Sequence, residues 1–132
     1  MSIFRTLEFN DDEYSVRIKV RNARISDGIQ RSLMIFQARL DNPVEADSKD
    51  AAKIAERVLT AFTFPACASA TVSIENTNPD SPVKISFPLA LAEFREMPEL
   101  LVTQWEELIL DLNPQWRPGG APSEEGEVGK SS

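Results

Sequence analysis

The sequence predicts a small α+β protein: two β-hairpins and about four α-helices in one domain, residues 1–116, followed by a flexible tail, residues 117–132. Three observations carry this. Apolar and polar residues alternate over 14–21 and again over 70–75 and 83–87, apolar residues recur at helical spacing over three longer stretches, and the composition changes abruptly at Arg117. With 132 residues, 42% of them hydrophobic, the chain is the length of one domain and can bury a real core.

The elements follow in order. Residues 3–9 are rich in β-branched and aromatic side chains, and Asn10-Asp11-Asp12-Glu13 supplies turn chemistry. Over 14–21, Tyr14, Val16, Ile18 and Val20 alternate with Ser15, Arg17, Lys19 and Arg21, the pattern of a half-buried strand, so the two runs pair as a hairpin. The Arg17, Lys19, Arg21 row is either a binding stripe or a solvated strand face that discourages edge pairing. Ser26-Asp27 offers an N-cap and a first-turn acid to a helix on which Ile29, Leu33, Phe36 and Leu40 recur, ending at Asp41-Asn42-Pro43.

A second helix begins near Asp47-Ser48, with Asp50 as a variant capping box. Ala51, Ile54, Ala55, Val58, Leu59 and Phe62 form its stripe, its small alanines allow close approach to a neighbour, and Pro65 marks its end. Residues 70–75 and 83–87 read as the second hairpin across the turn-rich loop 76–82. The last ordered stretch is helical, Leu89 to Glu96 and then Glu99 to Leu112, with Pro98 suited to the first turn and Leu101, Trp105, Leu108 and Leu112 on one face. Residues 117–132 hold Val128 as their only bulky apolar side chain and cannot offset the entropy of ordering.

Composition excludes more than it assigns. With 14 basic and 21 acidic residues the net charge is −7, which opposes duplex nucleic acid and anionic membranes as partners and leaves a protein or peptide. The first 57 residues hold ten basic and ten acidic side chains, whereas the next 59 hold two and eight. Such polarity suits head-to-tail self-association, a basic partner, or simply a solvated acidic face. No histidine is present, which removes Ser-His-Asp triads and imidazole ligands. The lone Cys67 can form neither an internal disulfide nor a thiolate zinc site, and its Phe64-Pro65-Ala66-Cys67-Ala68 setting reads as a buried small hydrophobe. The N-terminus lacks the basic start and apolar run of a secretion signal, and no window reaches the length of a membrane span, so a cytoplasmic protein is expected.

No constellation of chemistry stands out. Glu93 with Glu96, and Glu106 with Glu107, could serve as carboxylate pairs, but adjacent helical residues diverge by about 100° and both members of the second pair lie off the apolar stripe. Asp11-Asp12-Glu13 lacks the spacing of a calcium loop, and Gly129-Lys130-Ser131 shares only letters with a phosphate-binding loop. Neither catalytic residues nor metal or cofactor sites are expected. Phe94, Trp105 and Trp116 concentrate aromatic material near the end of the fold, and tryptophans serve cores and interfaces alike. Trp105 lies on a stripe that must bury somewhere, whereas Trp116, beyond the helix, is the better interface candidate.

The closing segment Phe94-Arg95-Glu96-Met97-Pro98-Glu99-Leu100-Leu101-Val102-Thr103-Gln104-Trp105, followed by Leu112-Asn113-Pro114-Gln115-Trp116, resembles the tail assembly chaperones of long-tailed bacteriophages. Some members of that group are all-helical, so the hairpins make this a variant form. The resemblance implies a non-catalytic role in the host cytoplasm: coating the tape measure protein, keeping it soluble, helping tail-tube protein polymerise around it, and leaving before the virion is complete. It also implies a programmed ribosomal frameshift near the gene's end, and Gly129-Lys130 is compatible with a slippery run. A coat for a long apolar helix needs many copies and displaceable anchors, so a homo-oligomer is expected, with Met97, Leu101, Trp105, Leu108, Leu112 and Trp116 as partner-binding candidates. The rival reading is a small acidic regulatory or inhibitory protein that offers its second half to a host protein.

Overall fold

The computed structural model describes residues 3–43 and 48–118. Strands β1 (Phe4–Asn10) and β2 (Ser15–Arg21) form the opening hairpin, in register from Phe4 opposite Arg21 to Asn10 opposite Ser15. Asp11 sets the turn, its Oδ1 accepting from the backbone N–H of Glu13 (2.9 Å) and Tyr14 (2.6 Å). Val16, Ile18 and Val20 are fully buried on the inner face of β2. The basic row on its other face is engaged. Arg17 bridges Glu8 and Glu75 on the two flanking strands, Lys19 sits over the Phe4 ring, and Arg21 pairs with Asp27.

Helix α1 (Ile25–Asp41) starts one residue before the expected cap, with Arg24 at the N-cap. Asp27, rather than Ser26, closes this end: its Oδ2 accepts from the Arg24 N–H at 2.9 Å, and its carboxylate takes a two-pronged pair from Arg21, both contacts 3.0 Å. Helix α2 (Ala51–Val58) is capped by Asp50, whose Oδ1 accepts from Ala52 and Lys53. Asp47, the other half of the expected capping box, lies outside the described residues.

Pro65 does not end the second helix. The backbone widens into a π turn (Leu59–Thr63), where the Phe64 N–H reaches back to Leu59, and continues as α3 (Phe64–Ala70) with Pro65 in its first turn. A π turn shifts the pairing by one residue, which lets a helix pass a position that has no N–H to donate. Strand β3 (Thr71–Asn76) then joins β2 antiparallel, giving the order β1-β2-β3 with a bulge between Lys19 and Val20.

The second hairpin does not form. β3 takes β2 as its partner, and residues 83–87 make no ladder. Asn76 substitutes for one: its side-chain amide accepts from the Ile85 N–H (2.9 Å) and donates to the Ile85 carbonyl (3.0 Å), while the N–H groups of Val83 and Ser86 donate to the Glu13 carbonyl and the Glu93 carboxylate. Lys84 closes the intervening loop by donating to the carbonyls of Asn78, Pro79 and Ser81.

After the short α4 (Leu91–Arg95), α5 (Glu99–Leu112) packs on β1 and β2, and a 3-10 turn (Pro114–Trp116) closes the fold. α3 lies against α5 and α1 against α3, so the helices stack outward from one face of the sheet. The centre is Trp105, with Phe94 edge-on to it at 5.8 Å and Phe64 edge-on to Phe94 at 5.3 Å. Arg117 pairs with Glu107 and Asp111, which ties the first expected tail residue to α5; the rest of that tail from Gly119 on lies outside the described residues.

Candidate protein-binding surface

The six expected anchors belong to the core. Met97, Leu101, Trp105 and Trp116 are buried, and Leu108 and Leu112 are partly buried against them. The reason is the position of α5: its apolar stripe covers the inner face of the sheet, so it cannot also face a partner. Three polar or aromatic residues of the closing motif, Trp105, Asn113 and Trp116, have a direct structural account. Trp105 Nε1 donates to Thr71 Oγ1 (2.9 Å), which itself donates to the Cys67 carbonyl (2.6 Å), joining α5, β3 and α3. Asn113, almost fully buried, accepts from the Ala23 N–H (2.6 Å) and donates to the carbonyls of Arg21 (3.1 Å) and Ile109 (3.0 Å). Trp116 stacks beneath the Arg31 guanidinium at 4.7 Å, and burial pulls Arg31 below its ordinary pKa.

The open apolar surface lies at the other end of the helical stack. On α1, Ile25 is 86% exposed, Ile29 56%, Leu33 64%, Phe36 63% and Leu40 61%. The inward side is formed by Asp27, Arg31, Met34 and Ala38, roughly 180° around the helix from that stripe. α1 therefore presents its most apolar face to water. The periodicity made the stripe visible, but periodicity alone does not say which face a helix buries. The signal that could have found it is the presence of a second, sufficient inward face on the same helix.

α2 repeats the arrangement. None of its residues is buried, and Ile54 and Val58 are exposed. The ion pair between Glu56 and Arg95 tethers it to α4, and that contact holds the Glu56 carboxyl below its usual range. Alongside α2 and the π turn runs an open groove of about 570 Å³, lined by Ile54, Val58, Ala61 and Phe62, with Arg39, Arg57 and Glu106 among its polar residues. Glu106 was expected on an outer solvated face; it is half-buried here, with Oε2 sequestered and unpartnered. Burial raises its pKa, a Thr63 hydrogen bond opposes this, and Glu107 adds to it. Cys67 is wholly buried, and burial pushes its thiol well up.

Fold and surface together define a small α+β protein whose outer helices leave an apolar face open to solvent. Comparison with protein-family models, curated proteins and solved structures finds no match to this chain. Among the described residues no helix is long and apolar enough to cross a membrane, and no three His, Cys, Asp or Glu side chains group to hold a metal ion.

Proposed function

We propose that this protein is a non-catalytic assembly chaperone of the phage-tail type, which holds an apolar helical partner, the tape measure protein, soluble while tail-tube subunits polymerise around it. It acts as a multimer in the host cytoplasm and is absent from the finished particle. The observation that supports this is the open groove beside α2, where Ile54, Val58 and Phe62 offer the successive apolar contacts that a helix presenting i, i+3 and i+4 anchors requires. Arg39, Arg57 and Glu106 add polar groups that can orient it. This surface takes the place of the α5 stripe as the partner site.

The test is co-expression with a long, helical tape measure protein. That product is expected to be soluble with the native chain and to precipitate with Val58→Glu, which replaces an apolar contact of the groove with a charged carboxylate. Equal solubility of that product in the absence of this protein would sink the reading. The rival, an acidic inhibitor of a host protein, draws on the acidic second half of the chain; Arg117 already engages two of those carboxylates, Glu107 and Asp111, and offsets one of their charges, so it ranks second.

A further inference from the structure

We infer that the outward face of α1 is a homodimer interface, in which the helices of two copies pair antiparallel across a two-fold axis between residues 32 and 33. The inference rests on the proposed function only in that the protein works as a multimer; it is independent of what the α2 groove binds.

Spacing supplies the first argument. The exposed residues stand at 25, 29, 33, 36 and 40, and the order is nearly palindromic. In an antiparallel pair Ile25 meets Leu40, Ile29 meets Phe36, and the two Leu33 side chains meet beside the axis. The 4-3-4 steps from Ile29 to Leu40 are those of a coiled-coil seam, a pattern a helix shows when its partner is another helix.

Shape supplies the second. A hollow along α1, closed on one side by Arg31 and Trp116 and bordered by Leu33, includes Ile25, Gly28, Ile29 and Ser32 in its lining, at positions i, i+3, i+4 and i+7. Four residues so spaced make the hole that receives one knob in coiled-coil packing. Gly28 and Ser32 keep it deep, and a Cβ built on Gly28 meets nothing within 4 Å in its own chain. Phe36 lies on the same stripe about 7.5 residues from the centre of the hollow, so the two-fold that seats one Phe36 in its partner's hollow seats the other reciprocally.

Area and charge agree. The five side chains leave on the order of 600 Å² of apolar surface in water, the upper end of a monomer's largest patch. Pairing two copies can remove up to about 1,200 Å² from these side chains, which reaches the lower bound of standard specific interfaces. Although the chain carries −7, the residues flanking the stripe are Ser26, Gln30, Ser32, Gln37 and Arg39, so two copies meet with almost no like charge between them. The chain's own last residues, 119–132, offer only Val128 as a bulky apolar side chain and cannot match five anchors.

The full chain in sedimentation equilibrium is expected to show twice its 14.7 kDa mass. Leu33→Glu should weaken the dimer at least about tenfold, with an unchanged far-ultraviolet spectrum because the side chain is exposed. Gly28→Leu fills the hollow and should also weaken it, while each dissociated chain melts at a higher temperature since a helical glycine has been removed. Under oxidation Ser32→Cys should cross-link to itself, whereas Ile25→Cys, displaced by about 22 Å from its own copy in this register, should not. The buried Cys67 does not compete. A monomeric native chain, a multimer that Leu33→Glu or Gly28→Leu leaves intact, or cross-linking at Ile25→Cys would each overturn the inference.

Discussion

Replacing Asn113 by alanine should be among the most damaging polar substitutions in this protein. The side chain is 1% exposed and bonds three backbone groups: the Ala23 N–H, the Arg21 carbonyl and the Ile109 carbonyl. The Ile109 carbonyl keeps the Asn113 N–H at 2.9 Å after the change, so two contacts are left without their partner. A buried polar group deprived of its partner costs about 1–3 kcal/mol, so the expected loss for two is about 2–6 kcal/mol. For a chain of this size that lowers the melting temperature by about 10 °C or more. Asn113→Asp supplies the control. It retains the acceptor for Ala23 but sets a carboxylate against the carbonyls of Arg21 and Ile109, so its folded pKa rises above the unfolded value. The folded state then holds its proton at pH values where the unfolded state has lost it, and the variant gains stability as pH falls through that raised pKa. Urea denaturation followed by tryptophan fluorescence and circular dichroism measures both. A loss below about 0.5 kcal/mol for Asn113→Ala would refute the bridging role, because two orphaned groups cannot cost so little.

Two further outcomes are expected. Trp105→Phe keeps most of the ring but removes the Nε1 donor to Thr71, and a loss of about 1–2 kcal/mol in the same assay should exceed that of Thr71→Val in the Trp105→Phe background; additive losses would show that the pair does not couple. Glu106→Gln should be more stable than the native chain at pH 7, and the gap should close as pH falls toward the ordinary carboxylate range. Its folded pKa is raised, so native stability itself recovers as the carboxylate protonates; a gap that is flat with pH between 7 and 5 refutes this.

What could be read from the sequence and what could not divides by the kind of signal. Alternation over 14–21 predicted β2 and its inward face, because a half-buried strand has one solution to its pattern, and Val16, Ile18 and Val20 are all buried. The run 83–87 alternates as well, yet its partner edge is held by the Asn76 side chain instead of a ladder; strand pairing depends on a competing neighbour, here β2, that no local pattern reveals. Pro65 was expected as a stop since a proline removes a bond from a regular helix, and the π turn before it changes which bond is at stake. For the binding surface, α1, α2 and α5 each carry an apolar stripe. The sheet has one inner face for α5 to cover, and α1 has Met34 and Ala38 to set against the inner helices, so the assignment of stripes to core or surface is a tertiary decision.

Charge and apolar exposure divide along the chain in a way that follows from the same decision. The acidic excess sits in residues 58–116, whereas α1 carries Asp27 and Asp41 against Arg31 and Arg39 and so has no net charge. A protein whose outer helices were both apolar and strongly charged would repel any like copy; one that was apolar and neutral throughout would aggregate without limit. Separating the two properties gives −7 to keep independent assemblies apart beyond a Debye length of about 8–10 Å, while leaving the α1 faces free of repulsion at contact. Raising the salt concentration should therefore strengthen association between assemblies more than it strengthens pairing through α1. Light scattering of the native chain and of Leu33→Glu across a salt series separates these contributions. Equal salt dependence of α1 pairing and of higher association would show that the charge is not partitioned in this way.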